Sequence, residues 1–495
     1  MNMMIERSPS PAELTVVKQA WRCSRVNCDG LLHLFKLSKS MSFAERTALF
    51  DLGQKTESLY LVLRGFVGLL MSDGRGGETL VKIIGPGHFV GESLLLIDDA
   101  ERFSARALTF AHVVEIPKTS VRAAIAENPC FRRLFFSTLS VSLRQSVRLF
   151  SQLKLMNTAQ RLGTYLLGIA GSQHGPVRLN MSFERQALAE MLGMQPESLS
   201  RAFRKLAELG VSRQDHNVVT IDGIERLVAF CGAPHSFSSP PDQIGEDGAA
   251  SWKMSRQSTA CGAFGALIPD IALFSMLSEP EIKSVLSKAK VVTYDQTTML
   301  FQAGTQADRC FVVISGKVRL FIINGDGRET VIDLVEPGVS FAEAAMFGPG
   351  YYPVNAETQP GTRLLHIPKE SLCEQALNES SLALRLLEAL AQRQKQLFEW
   401  IMEFKTRSPT ERLVRELLNL TDHESGPEII HLKTSKASLA SHLGVTAETI
   451  SRIFSKLQKI GVKATNTSKV YIADVAALRS FCMQIPGGDG EAKAH

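Results

Sequence analysis

The 495-residue sequence lacks any unbroken apolar run of about eighteen residues, the length that a membrane-spanning helix needs. Its opening residues, MNMMIERSPSPAEL, lack the apolar core and the small-residue cleavage site of a secretory signal. From these two absences we expect a cytoplasmic protein with no membrane partner.

The sequence also has few cysteines and only a small net charge. The eight cysteines are scattered, and the close pair Cys23 and Cys28 has no second pair at metal-site spacing, so we expect reduced thiols and no bound metal. The 55 basic and 50 acidic residues give a net charge of +5, which permits nucleic-acid binding without requiring it. No nucleophile elbow, phosphate loop or spaced carboxylate pair appears in a recognisable frame, so we do not expect an enzyme.

What the sequence does contain is a long internal repeat. The segment PESLSRAFRKL, 196–206, is matched by AETISRIFSKL, 447–457, at a separation of 251 residues. The same separation relates Gly65 to Gly316 and the IPK segment at 116–118 to the one at 367–369. A register held over about 180 residues without a gap indicates two copies of one whole protein, because solenoid units recur every 20 to 50 residues.

Each copy has the same predicted order of domains, and we predict an α+β fold. Short β runs broken by Gly-rich turns indicate a jelly-roll-like β-roll, an apolar stripe follows on a long helix, and a helix-turn-helix with two short wing strands ends the copy. The predicted ranges are 1–126 (N-terminal segment and first roll), 127–156 (first dimerisation helix), 157–233 (first winged helix-turn-helix), 234–265 (flexible linker), 266–377 (second roll), 378–407 (second dimerisation helix), 408–485 (second winged helix-turn-helix) and 486–495 (disordered tail).

The long-helix stripes leave two interpretations open. In the first copy the stripe runs from Phe136 to Leu153 in steps of three and four residues, and in the second copy it runs from Leu387 to Phe404. Either each stripe packs on its own roll, or the two stripes pack on each other as the dimer helices of an internal pseudo-dimer.

The repeated segment carries the candidate DNA contacts. On its helix Glu197, Ser200 and Arg201 share one face, and the second copy repeats the trio. An arginine can bond guanine and a nearby glutamate can accept from cytosine, so the trio suits reading of a G·C pair. The alternative is a solvated face with an Arg–Glu pair. The predicted base readers are Glu197, Ser200, Arg201, Glu448, Ser451 and Arg452, and the predicted phosphate contacts are Arg204, Lys205 and Lys456.

Together these motifs resemble the cyclic-AMP receptor and fumarate–nitrate reductase regulator superfamily. The resemblance covers nearly all of both copies, and the E-x-x-S-R form is similar to the fumarate–nitrate reductase branch. It implies a transcription activator that binds double-stranded DNA at TTGAT-type half-sites, with RNA polymerase as a further partner and low-oxygen or nitrogen-oxide respiration as the regulated process. Family members bind as homodimers, so the chain is expected to act as a pseudo-dimer, or alternatively to pair with a second chain.

The sequence does not identify the effector molecule. In cyclic-nucleotide members of the family, a Gly-Glu pair and an Arg ten residues later hold the ligand, and the first copy keeps Gly91, Glu92 and Arg102. Phe103 follows where a small hydroxyl residue is expected, and the second copy has Ala342 and Pro353 at the matching places. The alternatives are a regulator in which only one roll binds a cyclic nucleotide, a haem-dependent gas sensor, and a ligand-binding scaffold without DNA activity.

The sequence offers few candidate ligands for a metal cofactor. An iron–sulfur cluster needs four thiolates near the N-terminus and the roll, and there the first copy offers only Cys23, Cys28 and Cys130. We therefore expect no such cluster. The candidate axial ligands of a haem are His33, His88, His112 and His366.

Overall fold

The structure is a computed structural model, and it describes most of both copies. The described residues are 9–10, 13, 38–54, 57–72, 77–92, 103–170, 175–181, 185–215, 218–231, 257–259, 274, 277–323, 329–347, 350–432, 439–440, 443–464 and 469–484. The predicted tail at 486–495 lies outside this set, as do Arg102, His33, Cys23 and Cys28. The predicted linker at 234–265 is described only at 257–259.

The first roll consists of two four-stranded antiparallel sheets. Its strands are β1 (Lys39–Phe43), β2 (Ala48–Phe50), β3 (Ser58–Arg64), β4 (Val67–Ser72), β5 (Glu78–Ile84), β6 (Phe89–Val90), β7 (Phe103–Ala107) and β8 (Ala111–Pro117). The strand orders are β1-β8-β3-β6 and β2-β7-β4-β5. Apolar residues of the strands, such as Leu59, Leu61, Val67 and Val113, are almost completely buried. Two sheets that pack face to face enclose one core of such buried side chains between them.

The second roll repeats this topology at the same strand positions. Its strands are β12 (Gln257–Thr259), β13 (Lys290–Tyr294), β14 (Thr298–Phe301), β15 (Arg309–Ser315), β16 (Val318–Ile323), β17 (Glu329–Val335), β18 (Ser340–Phe341), β19 (Asn355–Thr358) and β20 (Thr362–Pro368). The orders are β12-β13-β20-β15-β18 and β14-β19-β16-β17. Strand β12 is the exception, because it lies inside the predicted flexible linker and yet pairs antiparallel with β13. The open edge of β13 offers backbone donors and acceptors to any nearby extended segment. The composition of residues 257–259 does not reveal that this edge is their partner.

Gly316, in the turn between β15 and β16, offers a test of the roll. Its φ is +84°, and a Cβ at this residue would lie 2.6 Å from the Thr362 Cα. Gly361 has a similar φ of +78° but has open space where a Cβ would be. We expect Gly361→Ala to cost about 1–2 kcal/mol from the left-handed backbone, and Gly316→Ala about 1 kcal/mol more from the forced contact. Thermal melts of the two variants measure the difference, and equal losses would contradict the assigned turn.

The chain divides into two compact units. One comprises residues 1–148, 235–320 and 334–399, and contains most of both rolls and of the long helices. The other comprises residues 149–234, 321–333 and 400–495, and contains both C-terminal domains. Each copy therefore contributes to each unit.

Most of the helices follow the rolls, while in the second copy one precedes β13 and one lies between β18 and β19. They are α1 (Lys118–Glu127), α2 (Pro129–Leu155), α3 (Thr158–Ala170), α4 (Arg185–Met191), α5 (Pro196–Ala207), α6 (Ile224–Cys231), α7 (Glu279–Leu286), α8 (Glu343–Phe347), α9 (Lys369–Asn378), α10 (Ser380–Thr406), α11 (Pro409–Asn419), α12 (Ala447–Leu457) and α13 (Val475–Gln484). The two 27-residue helices α2 and α10 carry the apolar stripes.

In the first unit the long helices contact the opposite copy. Gln394 Nε2 on α10 donates a hydrogen bond of 2.6 Å to Ser146 Oγ on α2, and both side chains are almost fully buried. The Phe136 ring on α2 stacks on Phe347 of α8 at 4.0 Å between centroids. Helix α2 thus contacts both the long helix and the roll of the other copy, and the contact with that roll is one that neither interpretation of the stripes named.

In the second unit the ends of the long helices meet and two small domains follow. The Phe150 ring stacks on Trp400 at 5.4 Å and meets Phe404 edge-on at 5.2 Å. The strands of the two domains are β9 (Val177–Asn180), β10 (Val211–Asp215), β11 (Val218–Ile221), β21 (Glu428–His431), β22 (Val462–Ala464) and β23 (Lys469–Ile472). They form one sheet in each domain, with the orders β10-β11-β9 and β21-β23-β22. Each domain has its own apolar core.

Candidate nucleic-acid interface

Helix α5 presents the first predicted trio on its exposed side. It begins at Pro196, a favoured first helical residue, after Gln195 in an extended conformation. Leu199, Ala202 and Leu206 are buried in the core of the domain. Because a helix turns every 3.6 residues, this burial leaves Glu197 and Arg201 exposed and Ser200 half-buried.

Helix α12 presents the second trio in the same way. The Thr446 side chain accepts a hydrogen bond of 3.2 Å from the Thr449 backbone N–H, which caps the first turn. Ile450, Ile453 and Leu457 are buried on one side. Glu448, Ser451 and Arg452 are all exposed.

A tight turn precedes each of these helices. Gly193 and Gly444 have φ values of +63° and +64°, a conformation that glycine adopts without steric cost. The N–H of Met194 donates to Ala189 O at 3.0 Å, and the N–H of Val445 donates to Ala440 O at 2.9 Å. The matched hydrogen bonds give both copies the same helix-turn-helix geometry at the turn.

The arginines of the two trios are held near the helix surface. Arg201 donates to Ser198 Oγ at 2.9 Å, and Arg452 donates to Thr449 Oγ1 at 3.4 Å. Among the ion pairs between described residues, none joins Glu197 to Arg201. The Arg–Glu pair of the alternative interpretation is therefore not the arrangement that the structure has.

The serines of the trios differ in their surroundings. Ser200 Oγ donates to Pro196 O at 2.8 Å, and Ser451 Oγ donates to Ala447 O at 3.1 Å. In the first copy the Arg185 guanidinium also donates to Ser200 Oγ. Sequence reasoning did not single out Arg185, although a basic residue at the first position of α4, the helix before the reading helix, was a signal that could have found it.

The predicted phosphate contacts are exposed near the ends of the two helices. Arg204, Lys205 and Lys456 lie in the last turns, where cations suit the negative end of the helix dipole. Lys205 Nζ lies 5.6 Å from the centroid of the Phe230 ring. Arg213 on wing strand β10, which the sequence analysis also missed, lies 5.8 Å above the Phe203 ring.

The effector segment of the first roll is joined to helix α2. Gly91 has a φ of +93°, and the neighbouring Glu92 is buried. Ser142 Oγ donates to Glu92 Oε1 at 2.8 Å and accepts from Lys82 Nζ at 2.8 Å. Burial lowers the pKa of Lys82, and the Glu92 carboxylate opposes this shift. The predicted Arg102 lies outside the described residues.

The same segment of the second roll lacks glycine. Ala342 takes a φ of +69°, and Glu343 is buried with no hydrogen-bond partner for Oε2. Burial raises the pKa of Glu343, while its backbone hydrogen bond and the Arg393 guanidinium act in the opposite direction. A buried carboxyl of this kind does not favour an anionic ligand.

The described haem-ligand candidates are engaged elsewhere. His112 hydrogen-bonds Ser40 and Ser42 through its two ring nitrogens, at 3.0 and 2.9 Å. His366 Nε2 lies 3.0 Å from Tyr294 Oη, and burial followed by the Arg309 charge lowers its pKa to about 4. His88 is exposed in a turn, with Nδ1 3.1 Å from Pro86 O. Three or more potential metal-ligating side chains do not converge anywhere in the described part of the chain.

Among the helices that the structure describes, none is both long and apolar enough to cross a bilayer.

Two family models each match the chain twice. The cyclic nucleotide-binding domain matches residues 40–128 and 291–378. The Crp-like helix-turn-helix domain matches residues 160–230 and 411–481. These matches confirm the predicted α+β fold of two tandem copies, each with a roll followed by a helix-turn-helix domain.

Characterised relatives match one copy at a time. The nitrogen fixation regulation protein FixK of Rhizobium meliloti is 28% identical over 193 residues, which are 39% of this chain and 87% of that protein. The cAMP-activated global transcriptional regulator CRP of Salmonella typhimurium is 25% identical over 185 residues, which are 37% of this chain and 85% of that protein. The crystal structure of DNR from Pseudomonas aeruginosa is 28% identical, covers 43% of this chain and 95% of its own, and has a TM-score of 0.26. The chain therefore belongs to the cyclic-AMP receptor and fumarate–nitrate reductase regulator family of DNA-binding transcription regulators, and it carries the two domains of that family twice.

Proposed function

We propose that one chain binds one DNA site with two half-sites, through pairing of its own two copies. The observation that carries this proposal is the hydrogen bond from Gln394 to Ser146, which joins the long helices of the two copies. A buried polar pair within an apolar seam fixes the register and the partner of the helices. The edge-on contact of Phe103 on β7 with Phe398 on α10, at 5.3 Å between centroids, supports the same pairing.

The two exposed helix faces are then the two reading surfaces. Each is proposed to contact a TTGAT-type half-site, through Glu197, Ser200 and Arg201 in the first copy and through Glu448, Ser451 and Arg452 in the second. Glutamate and arginine one helical turn apart can contact the cytosine and the guanine of one base pair.

Phosphate contacts and one protein partner are proposed as well. The exposed cations Arg204, Lys205 and Lys456 are proposed to bind phosphates, which position the protein without reading sequence. Because the two reading helices differ at two matched positions, with Ser455 in place of Arg204 and Ala447 in place of Pro196, we expect the two half-sites to be read unequally. RNA polymerase is the proposed protein partner of the DNA-bound chain.

The number of chains on one DNA site tests the pairing directly. We expect native mass measurement of the complex with a TTGAT palindrome to give one chain per duplex. A duplex with only one half-site serves as the control and should bind more weakly at the same salt concentration. Two chains per palindrome would refute the pseudo-dimer and support a homodimer, while no shift of either duplex would favour a scaffold without DNA activity.

We assign the proposed effector site to the first roll, at Gly91, Glu92 and Arg102. In support, Gly91 takes its left-handed conformation without a Cβ, whereas Ala342 carries one there. Pro353 also stands where the first copy has Arg102, so the second roll offers no guanidinium at the place where a cyclic phosphate needs one.

A further inference from the structure

The geometry points to Lys405, at the end of the second copy's long helix, as a positioning residue for the reading helix of the first copy. This inference rests on the proposed pairing of the two copies for its role in DNA binding. The contact itself joins the end of α10 to the turn after α4, and both lie within the second unit.

The first observation is a hydrogen bond between the two copies. Lys405 Nζ donates to the backbone carbonyl of Glu190 at 3.0 Å. Glu190 lies in the last turn of α4, where carbonyl groups have no partner within the helix. The N–H of Gly193 donates to the same carbonyl at 3.0 Å. The lysine of one copy thus caps the helix that leads into the DNA-reading turn of the other.

The second observation is the closeness of the approach. A Cβ at residue 193 would lie 3.0 Å from Lys405 Cγ and 2.7 Å from Leu153 Cδ2. Arg161 Nη1 donates to Gly193 O at 3.1 Å from within the first copy. The turn is therefore held from both sides, by Arg161 of its own copy and by Lys405 of the other.

The charge of Lys405 is compatible with this burial. Burial first, and then the Arg161 guanidinium, lower the pKa of Lys405 to about 7, while the Glu190 carboxylate opposes the shift. An amine that gives up its proton near neutral pH remains a hydrogen-bond donor and no longer requires a counter-ion in a buried place.

The equivalent lysine of the first copy has a different hydrogen-bond acceptor. Lys154, 251 residues before Lys405, donates to the carbonyl of Val331 on β17 at 2.8 Å. Its Nζ also lies 4.7 Å from the centroid of the Phe150 ring. Two lysines at the same repeat position therefore have different hydrogen-bond acceptors. This difference supplies a matched control with the same chemistry.

Amide hydrogen exchange of the full chain at one fixed pH tests the inference without DNA. The variant Lys405→Met keeps the length of the side chain but loses the donor. In it we expect the amides of 192–194 to exchange roughly 5-fold faster, which is the increase in exchange rate that the loss of one hydrogen bond causes. Lys154→Met should leave these amides unchanged and should affect β17 instead. Lys405→Arg, which keeps a donor, should restore most of the protection even if the methionine variant is poorly folded.

Unchanged exchange at 192–194 in Lys405→Met, or the same change in Lys154→Met, would overturn the inference. The proposed function fails separately, through two chains per palindrome in the mass measurement. If the exchange result holds and the pairing fails, Lys405 still positions the turn but does so within another assembly.

Discussion

The double variant Arg201→Ala, Arg452→Ala is expected to lose sequence-specific DNA binding while keeping its fold. Both guanidinium groups lie on exposed helix faces, and each donates a hydrogen bond to a neighbouring side chain of its own helix, at Ser198 and Thr449. Loss of an arginine that contacts a guanine costs about 1–3 kcal/mol, so two losses cost about 2–6 kcal/mol if they are independent. Fluorescence anisotropy on a TTGAT palindrome and on a scrambled duplex, at equal salt, measures the loss.

Lys456→Ala is the control for this experiment. A phosphate contact carries no sequence information, so its loss should weaken binding to both duplexes alike and lower the salt slope by about 0.9. If the double arginine variant retained its preference for the palindrome, or if Lys456→Ala alone abolished that preference, the assignment of the base readers would be wrong.

Phe150→Ala is expected to give the largest loss of stability. Its ring is 2% exposed and lies between the copies in the second unit, against Trp400 and Phe404. Truncation of a buried phenylalanine leaves a cavity and costs about 3–5 kcal/mol. Denaturant unfolding, followed by the fluorescence of the tryptophans, measures the change in the free energy of unfolding.

Phe110→Ala provides the comparison, because this ring is 56% exposed in a turn of the first roll. An exposed substitution of this kind should change the free energy of unfolding by less than about 0.5 kcal/mol. Equal losses in the two variants would show that the aromatic contacts at Phe150 do not hold the helix ends together.

Much of the fold could be predicted from local and periodic features of the sequence. The separation of 251 residues predicted two copies, and short β runs broken by Gly-rich turns predicted the rolls. Burial of Leu199 and Ile450 on one side of their helices follows from helical periodicity, so the exposed positions of Glu197 and Glu448 could be predicted as well.

Other features depended on which segments meet in space. The pairing of β12 with β13 was missed, because an open sheet edge accepts any extended segment that reaches it. The hydrogen bond from Arg185 to Ser200 was missed because it joins two helices across a turn. In the effector segment of the first roll, the sequence identified Glu92 but not its contact with Ser142 on α2.

The sequence by itself determined that this protein is two copies of one regulator, with matched residues on two reading helices. Only the tertiary structure decided which surfaces meet. Gln394 donates a hydrogen bond to Ser146. Lys405 donates to the carbonyl of Glu190, whereas Lys154 donates to the carbonyl of Val331. Periodicity records which face of an element is apolar, and that property is local. The partner of a face depends on the joint packing of elements far apart in the chain, so two residues at one repeat position can have different neighbours.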